Sequence, residues 1–285
     1  MENIGLCKLM SKKLILQCPA KLNLTLEVLG KKEDGMHEIT SHFQLINLCD
    51  EICIQKSEAK QSSIQTNASI DIENRKNIVY SAIEALSEHV KQDLCCEITI
   101  DKNIPIGGGL GGGSSNAAAA LIGINYLYSL NLGISELMQI GLTLGADVPF
   151  FIFGKNAIAS GIGEKLQEIK CENSNFLVIT PDIHCSTQEM FQIWDEWHEK
   201  KMLNFSEEDE NPFLQIFLDK HSEVKIAFKE LMIEAPFKLS GTGSTIFCAF
   251  EDDERIKKTL KKIPTKWRHF FCEPLQCSPL LKYLT

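Results

Sequence analysis

The groups in this chain with chemistry to offer are a glycine-dense loop, one lysine, one aspartate and one histidine. Six of the seven residues from Gly107 to Gly113 are glycine, interrupted only by Leu110. Glycine packs nothing and costs backbone entropy, so such a run is kept where the chain must adopt φ > 0 or lie close to another group. The loop opens with Pro105-Ile106 and ends with Ser114-Ser115-Asn116, after which Ala117, Leu121, Ile124 and Tyr128 recur at helical spacing. Ser114 and Ser115 are suited to cap that helix. Before the loop, Ile98 and Ile100 alternate with Glu97, Thr99 and Asp101, as in a strand. Strand, glycine loop and helix N-terminus, in that order, aim free N–H groups and the positive end of a helix dipole at one point. That arrangement holds a phosphate.

The common phosphate loops narrow the reading. A Walker A loop needs a lysine after its last glycine, and here Gly113 runs straight into Ser114. Gly107, Gly109 and Gly112 satisfy G-x-G-x-x-G, but the acidic residue of a dinucleotide site is missing from residues 127–133. Lys21 and Asn23 alternate with Leu22, Leu24, Leu26 and Val28, so they share the polar face of a strand, which by itself reads as the solvent side. Asp147 opens the apolar run Val148–Phe153, a poor place for an unpaired charge. It either caps the turn before Pro149 or serves the nearby phosphate site. His37, just past the Asp34-Gly35 turn, is either a surface histidine or a ligand contact.

These groups need elements to position them. From Leu14 the chain alternates as a strand, turns at residues 31–35, and resumes as a strand from Phe43 to Ile54, broken at Asp50-Glu51. Residues 56–74 read as a polar loop, and Asn77 caps a helix to about His89. Ser135 caps a further helix that ends at Gly145. Phe176–Ile179 reads as a short strand. Thr187 to about Leu203 is an amphipathic helix whose Phe191, Trp194 and Trp197 belong mostly to a core. Ser206–Asn211 is an acidic solvated loop, and Leu239–Thr245 is a tight glycine turn before the strand Ile246–Phe250. A composition shift at Cys171–Asn175 divides the chain into a leader (1–12), an N-terminal domain (13–172) and a C-terminal domain (173–285).

Composition excludes several classes. The chain has 285 residues, 44% hydrophobic and 24% charged, as in a soluble globular protein. No apolar run approaches the ~18 residues that span a bilayer, and the N-terminus lacks a signal-peptide layout. Eleven cysteines without paired C-x-x-C motifs support neither zinc nor a disulfide framework, and reduced thiols fit a cytoplasmic setting. The net charge of −9 argues against a nucleic-acid surface, leaving the lysines of residues 255–262 as a solvated helix face.

Three blocks stand in order: Pro19-Ala20-Lys21-Leu22-Asn23-Leu24, Pro105 through Ala118, and Leu239 through Phe247. Together they resemble the three signatures of the GHMP kinase superfamily. The segments Gly107–Ser115, Leu144-Gly145-Ala146-Asp147-Val148-Pro149 and Asp34-Gly35-Met36-His37-Glu38 resemble a narrower family within it, the kinases of 4-diphosphocytidyl-2-C-methyl-D-erythritol in non-mevalonate isoprenoid synthesis. The resemblance implies an α+β GHMP fold, a ribosomal-protein-S5-domain-2-like N-terminal domain followed by a ferredoxin-like one, with the site between them. It implies ATP and Mg²⁺ as cofactors, a cytidine-diphosphate-linked small molecule as substrate, no nucleic acid and no membrane, and a monomer or weak homodimer.

The same resemblance assigns roles. Lys21 and Asp147 match the family's catalytic pair, with Asp147 taking the proton of the substrate hydroxyl and Lys21 offsetting charge on the entering oxygen. Pro105, Ile106, Gly107, Gly108, Gly109, Leu110, Gly111, Gly112, Gly113, Ser114 and Ser115 match the ATP-phosphate loop, either serine reaching phosphate. Asn77 matches a nucleotide-side asparagine, while Asn23, Met36, His37, Thr187 and Phe191 match positions near the cytidyl substrate. Met36 departs from the pattern, because the family places there an aromatic ring that stacks on cytosine. Two alternatives stay open: a GHMP kinase for another alcohol, such as homoserine or mevalonate, and a nucleotide-binding protein without catalysis. The Asp34-Gly35-x-His37 segment argues against the first, and the presence of both Lys21 and Asp147 against the second.

Overall fold

Alternating apolar residues along Leu14–Lys31 (β1) and His37–Lys56 (β2) give two long antiparallel strands. They are joined by a tight turn in which the Lys32 N–H donates to Met36 O at 2.8 Å. A computed structural model describes residues 13–67, 77–170, 174–202, 211–250 and 253–284. The leader expected at 1–12, the domain boundary at 172/173 and all of the expected acidic loop except Asn211 lie outside them.

β2 is the spine of the first sheet. β1 pairs along one of its edges. The other edge takes β5 (Ala157–Gly161) at residues 39–43, β11 (Pro274–Leu275) at 45–46 and β4 (Cys96–Asp101) at 51–56. β3 (Ser63–Thr66) runs parallel to β4, and β6 (Lys165–Glu168) extends the sheet beyond β5. The break expected at Asp50-Glu51 is absent, because the Asp50 side chain is fully buried and supplied with donors. The loop expected over 56–74 contains β3, whose Ile64 belongs to the first core.

Helix α2 (Gly112–Tyr128) lies against this sheet, with α1 (Ile78–Val90), α3 (Ile134–Leu144) and α4 (Val148–Phe153) packed around it. Its burial is continuous from Ser115 to Asn125, so the helix is enclosed on every side and has no single apolar stripe. Ala117–Ala120 let its neighbours approach, and a Cβ on Gly123 would fall 2.7 Å from Leu16 Cδ1. Leu121, Ile122 and Ile124 each contribute about 2 kcal/mol relative to exposure.

Two caps differ from expectation. Gly111, with φ 71°, precedes α2, because only a left-handed residue turns the loop into the helix there, and the serines fall inside the first turn. Gly133 precedes α3 in place of Ser135, its N–H donating to Glu136 Oε2 at 3.0 Å. α1 starts as expected, with Asn77 Oδ1 accepting the Val79 N–H at 3.0 Å.

The second layer comprises β7 (Asn175–Thr180), α5 (Thr187–Glu199), α6 (Phe213–Lys220), α7 (Ser222–Met232), β8 (Lys238–Leu239), β9 (Ile246–Phe250), α8 (Asp253–Leu260) and β10 (Arg268–Cys272). Its antiparallel sheet has the order β10-β7-β9-β8, the arrangement of a ferredoxin-like unit. α5 stops at Glu199, short of the expected Leu203. Its Trp194 is buried, whereas Phe191 and Trp197 are only partly so. Asn211 is buried too, donating to Leu239 O and Gly241 O, so it is no solvated loop residue. Ala20, Leu22 and Leu110 meet Phe176, Val178 and Phe247 in an apolar seam between the layers. A 3-10 helix, Pro279–Tyr283, returns Leu280 to the first core.

The described cysteines are all free thiols, and burial pushes Cys96, Cys248 and Cys272 up to about 12, which keeps them protonated. Arg255, Lys257, Lys258 and Lys261 are exposed, as a solvated face requires. No described helix is long and apolar enough to cross a membrane.

Candidate active site

The residues singled out in the sequence converge on one cleft of about 990 Å³, with Ser115 the single exception. Lys21 and Asn23 come from β1, Met36 from the turn before β2, His37 from the first position of β2, and Asn77 from the cap of α1. Pro105 to Ser114, Asp147, Thr187 and Phe191 complete the expected set.

At one end lies the glycine loop. Gly107, Gly109 and Gly111 have φ of 73°, 76° and 71°, where L side chains are strained. The loop is tied on both flanks: the Lys21 N–H donates to Leu110 O at 3.0 Å, and the Thr245 N–H to Gly108 O at 3.2 Å. A Cβ on Gly109 would sit 2.6 Å from Ser240 O. The 239–245 segment is therefore more than a tight turn, since it backs the loop and lends Gly241 and Thr242 to the cleft wall. The Ser115 N–H bonds Gly111 O at 2.9 Å, which leaves the amides of residues 112–114 without an intrahelical acceptor. At Gly113 a Cβ would meet only Ile78 Cγ2, at 3.9 Å. These amides thus open on the cleft beside Ser114. Ser115 turns inward and is 0% exposed, and its hydroxyl has no hydrogen-bond partner among the described residues. Of the two serines only Ser114 reaches the cleft.

Next to the loop, Lys21 Nζ lies 3.3 Å from Asp147 Oδ2, with side-chain exposures of 5% and 32%. Lys21 Nζ also donates to Asn23 Oδ1 at 2.7 Å and sits 4.5 Å above the centre of the Phe43 ring. Asn23 is held in turn, its Nδ2 donating to Ser41 Oγ at 2.8 Å and its N–H to Ser240 Oγ at 3.1 Å. The solvent-side reading of Lys21 and Asn23 is overturned: the loop and the 239–245 turn cover that face of β1, leaving each residue 4% exposed. Asp147 occupies the N-cap position of α4 but makes no capping bond, so its carboxylate is free to meet the lysine.

The other end is built from side chains. His37 Nε2 is 2.6 Å from Asp195 Oδ1, and Lys31 Nζ donates to Asp195 Oδ2 at 2.6 Å. Burial alone would raise the Asp195 carboxyl; the hydrogen bonds from His37 and Lys31 outweigh it and hold the group below its ordinary value. His37 stacks on Phe191 at 4.5 Å and meets Trp194 edge-on. Thr187 Oγ1 lies 3.2 Å from Thr242 Oγ1, and Met36 is 46% exposed at the rim. The sequence reading missed Lys31 and Asp195. A signal existed for Asp195, since Thr187, Phe191 and Asp195 fall at i, i+4 and i+8 on one face of α5.

One cleft thus offers a nest of amides, a paired carboxylate and ammonium beside it, and an aromatic and polar recess beyond. Residues 77–155 match the model of the GHMP kinases N-terminal domain. The chain is 39% identical to 4-diphosphocytidyl-2-C-methyl-D-erythritol kinase of Shewanella piezotolerans, over 92% of this chain and 94% of that protein. It is 38% identical to the enzyme of that name from Ruthia magnifica subsp. Calyptogena magnifica, over 92% and 95%. A crystal structure of 4-(cytidine 5'-diphospho)-2C-methyl-D-erythritol kinase superposes with a TM-score of 0.70 at 26% identity, covering 92% of this chain and 99% of that one. By its sequence and its fold, this chain belongs to the 4-diphosphocytidyl-2-C-methyl-D-erythritol kinase family of the GHMP kinases.

Proposed function

We propose that this protein transfers the γ-phosphoryl group of ATP to the 2-hydroxyl of 4-diphosphocytidyl-2-C-methyl-D-erythritol, in the non-mevalonate route to isoprenoids. It acts in the cytoplasm, as a monomer or weak homodimer. The observation that carries the reading is the Lys21–Asp147 pair, 3.3 Å apart and directly beside the glycine loop.

Phosphoryl transfer needs positioning and neutralisation of charge more than covalent help. The amides of residues 112–114 and the Ser114 hydroxyl receive the ATP phosphates. Asp147 accepts the proton of the attacking hydroxyl, and Lys21 stabilises charge on that oxygen. His37, Phe191 and Thr187 hold the cytidyl end, with Asn23 fixing the lysine between the two substrates. Mg²⁺ suits the donor set. Among the described residues no cluster of His, Cys, Asp or Glu forms a metal cage, and this cation is commonly held by substrate phosphates, water and one or two protein oxygens. Ser114 would hold it with the phosphates, and its chemistry there is to neutralise their charge.

The test is ADP release measured against a panel of alcohols. Rapid turnover is expected only with the cytidyl-linked methylerythritol; preference for homoserine or mevalonate would reassign the substrate, and no turnover with any alcohol would leave a binding protein.

A further inference from the structure

Beneath the phosphate end lies a carboxylate that the transfer chemistry does not use. Asp50, on β2, is 0% exposed, and both of its oxygens are occupied. Oδ1 accepts the N–H of Asn103 at 2.7 Å and of Ile104 at 2.9 Å. Oδ2 accepts from Lys102 Nζ, and from Asn116 Nδ2 at 3.0 Å. Lys102 Nζ also donates to Asn116 Oδ1 at 2.9 Å, closing a ring of three side chains. Asn103 and Ile104 are the last residues before the loop begins at Pro105, and Asn116 lies early in the helix that leaves it. One carboxylate therefore grips the chain where it enters the glycine loop and again where it exits.

The clamp touches the working end of the loop. A Cβ on Gly112 would fall 2.9 Å from Ile104 Cγ2 and 3.3 Å from Lys102 Nζ. Lys102 itself lines the cleft with a side chain 13% exposed. A well-packed apolar group commonly serves a fold as well as a buried ion pair does. What an apolar group cannot do is hold two backbone amides, an ammonium and an amide side chain in fixed mutual register.

We infer that Asp50 is a positioning residue for nucleotide binding, setting the two ends of the glycine loop so that the amides of 112–114 and the Lys102 ammonium converge on the ATP phosphates. The inference rests on the ATP reading above. Asp50→Asn keeps an oxygen for the two backbone amides but turns a donor toward Lys102 and Asn116.

The experiment measures KM for both substrates, kcat, thermal stability and the Kd of a non-hydrolysable ATP analogue. For Asp50→Asn, KM for ATP and the analogue Kd are expected to rise about tenfold, with KM for the cytidyl alcohol within about twofold. A purely structural role would lower kcat through loss of active molecules while leaving both KM values and the analogue Kd unchanged, and that result would overturn the inference. If Asp50→Asn fails to fold, Asn116→Ala carries the test, with an analogue Kd raised about threefold as support and an unchanged Kd as refutation. A wild-type protein that binds the analogue but phosphorylates no cytidyl alcohol would refute the proposed substrate alone, and the Kd comparison would still decide for or against Asp50. Failure of the wild type to bind the analogue would overturn both.

Discussion

The two ends of the cleft are built on opposite plans. At the glycine-loop end, proposed for the phosphates, the groups offered are mainly backbone amides, and the backbone is pinned by β1, by the 239–245 turn and by the buried Asp50. At the end proposed for the cytidyl group they are side chains of the β1–β2 hairpin and of α5, partly open to water and joined through Asp195. Amides cannot change with the sequence, whereas side chains can. The fixed end suits a triphosphate, and the adjustable end suits the partner that distinguishes one GHMP kinase from another.

That contrast can be broken or sharpened by experiment. The largest effect is expected from Asp147→Asn, which removes the proposed base yet leaves the loop intact. Turnover falls about a thousandfold, while the Kd of an ATP analogue changes by less than about twofold. Near wild-type turnover would show that the pair is not chemical, and equal losses in turnover and affinity would show that the phosphate end does not stand alone.

An intermediate effect is expected from Asp195→Asn. KM for the cytidyl alcohol rises about tenfold at nearly constant kcat, because His37 and Lys31 lose their shared anchor. A pH dependence follows as well. The carboxyl is held below its ordinary value of 3.8, so its ion pairs stabilise the fold above that pH and are lost as pH falls through the depressed value. The advantage of wild type over Asp195→Asn in thermal melts is thus full well above pH 3.8, the ordinary value, and is lost as pH falls through the depressed value. A constant gap across that range would remove Asp195 as its source. The smallest change is expected from Met36→Phe, which offers a ring to the base and lowers KM for the cytidyl alcohol about threefold, with KM for ATP unmoved. A rise in KM would mean that the thioether already fills the space.

The parts legible in the sequence were those whose signal is local. Glycine density marked the loop, and a charge at the head of an apolar run marked Asp147. The polar face of β1 was legible but its burial was not, because the loop and the 239–245 turn that cover it arrive from far along the chain. Distance also hid Asp50, which reaches Asn116 across 66 positions, and Asp195, whose partners His37 and Lys31 lie 158 and 164 positions away. The expected cap of α2 by Ser114 or Ser115 failed for a different reason. A left-handed turn out of the loop was needed more than a hydroxyl acceptor, and Gly111 supplies it.

Helix α2 carries four consecutive alanines, all fully enclosed. Growth of any one of them, even by a methyl group, has nowhere to go except into a shift of the helix axis. Such a shift moves the amides at its N-terminus, so crowding deep in the core would be felt at the mouth of the cleft as weaker nucleotide binding. The four alanines therefore leave little room for larger residues, whereas the exposed rim around Met36 can change without crowding the helix.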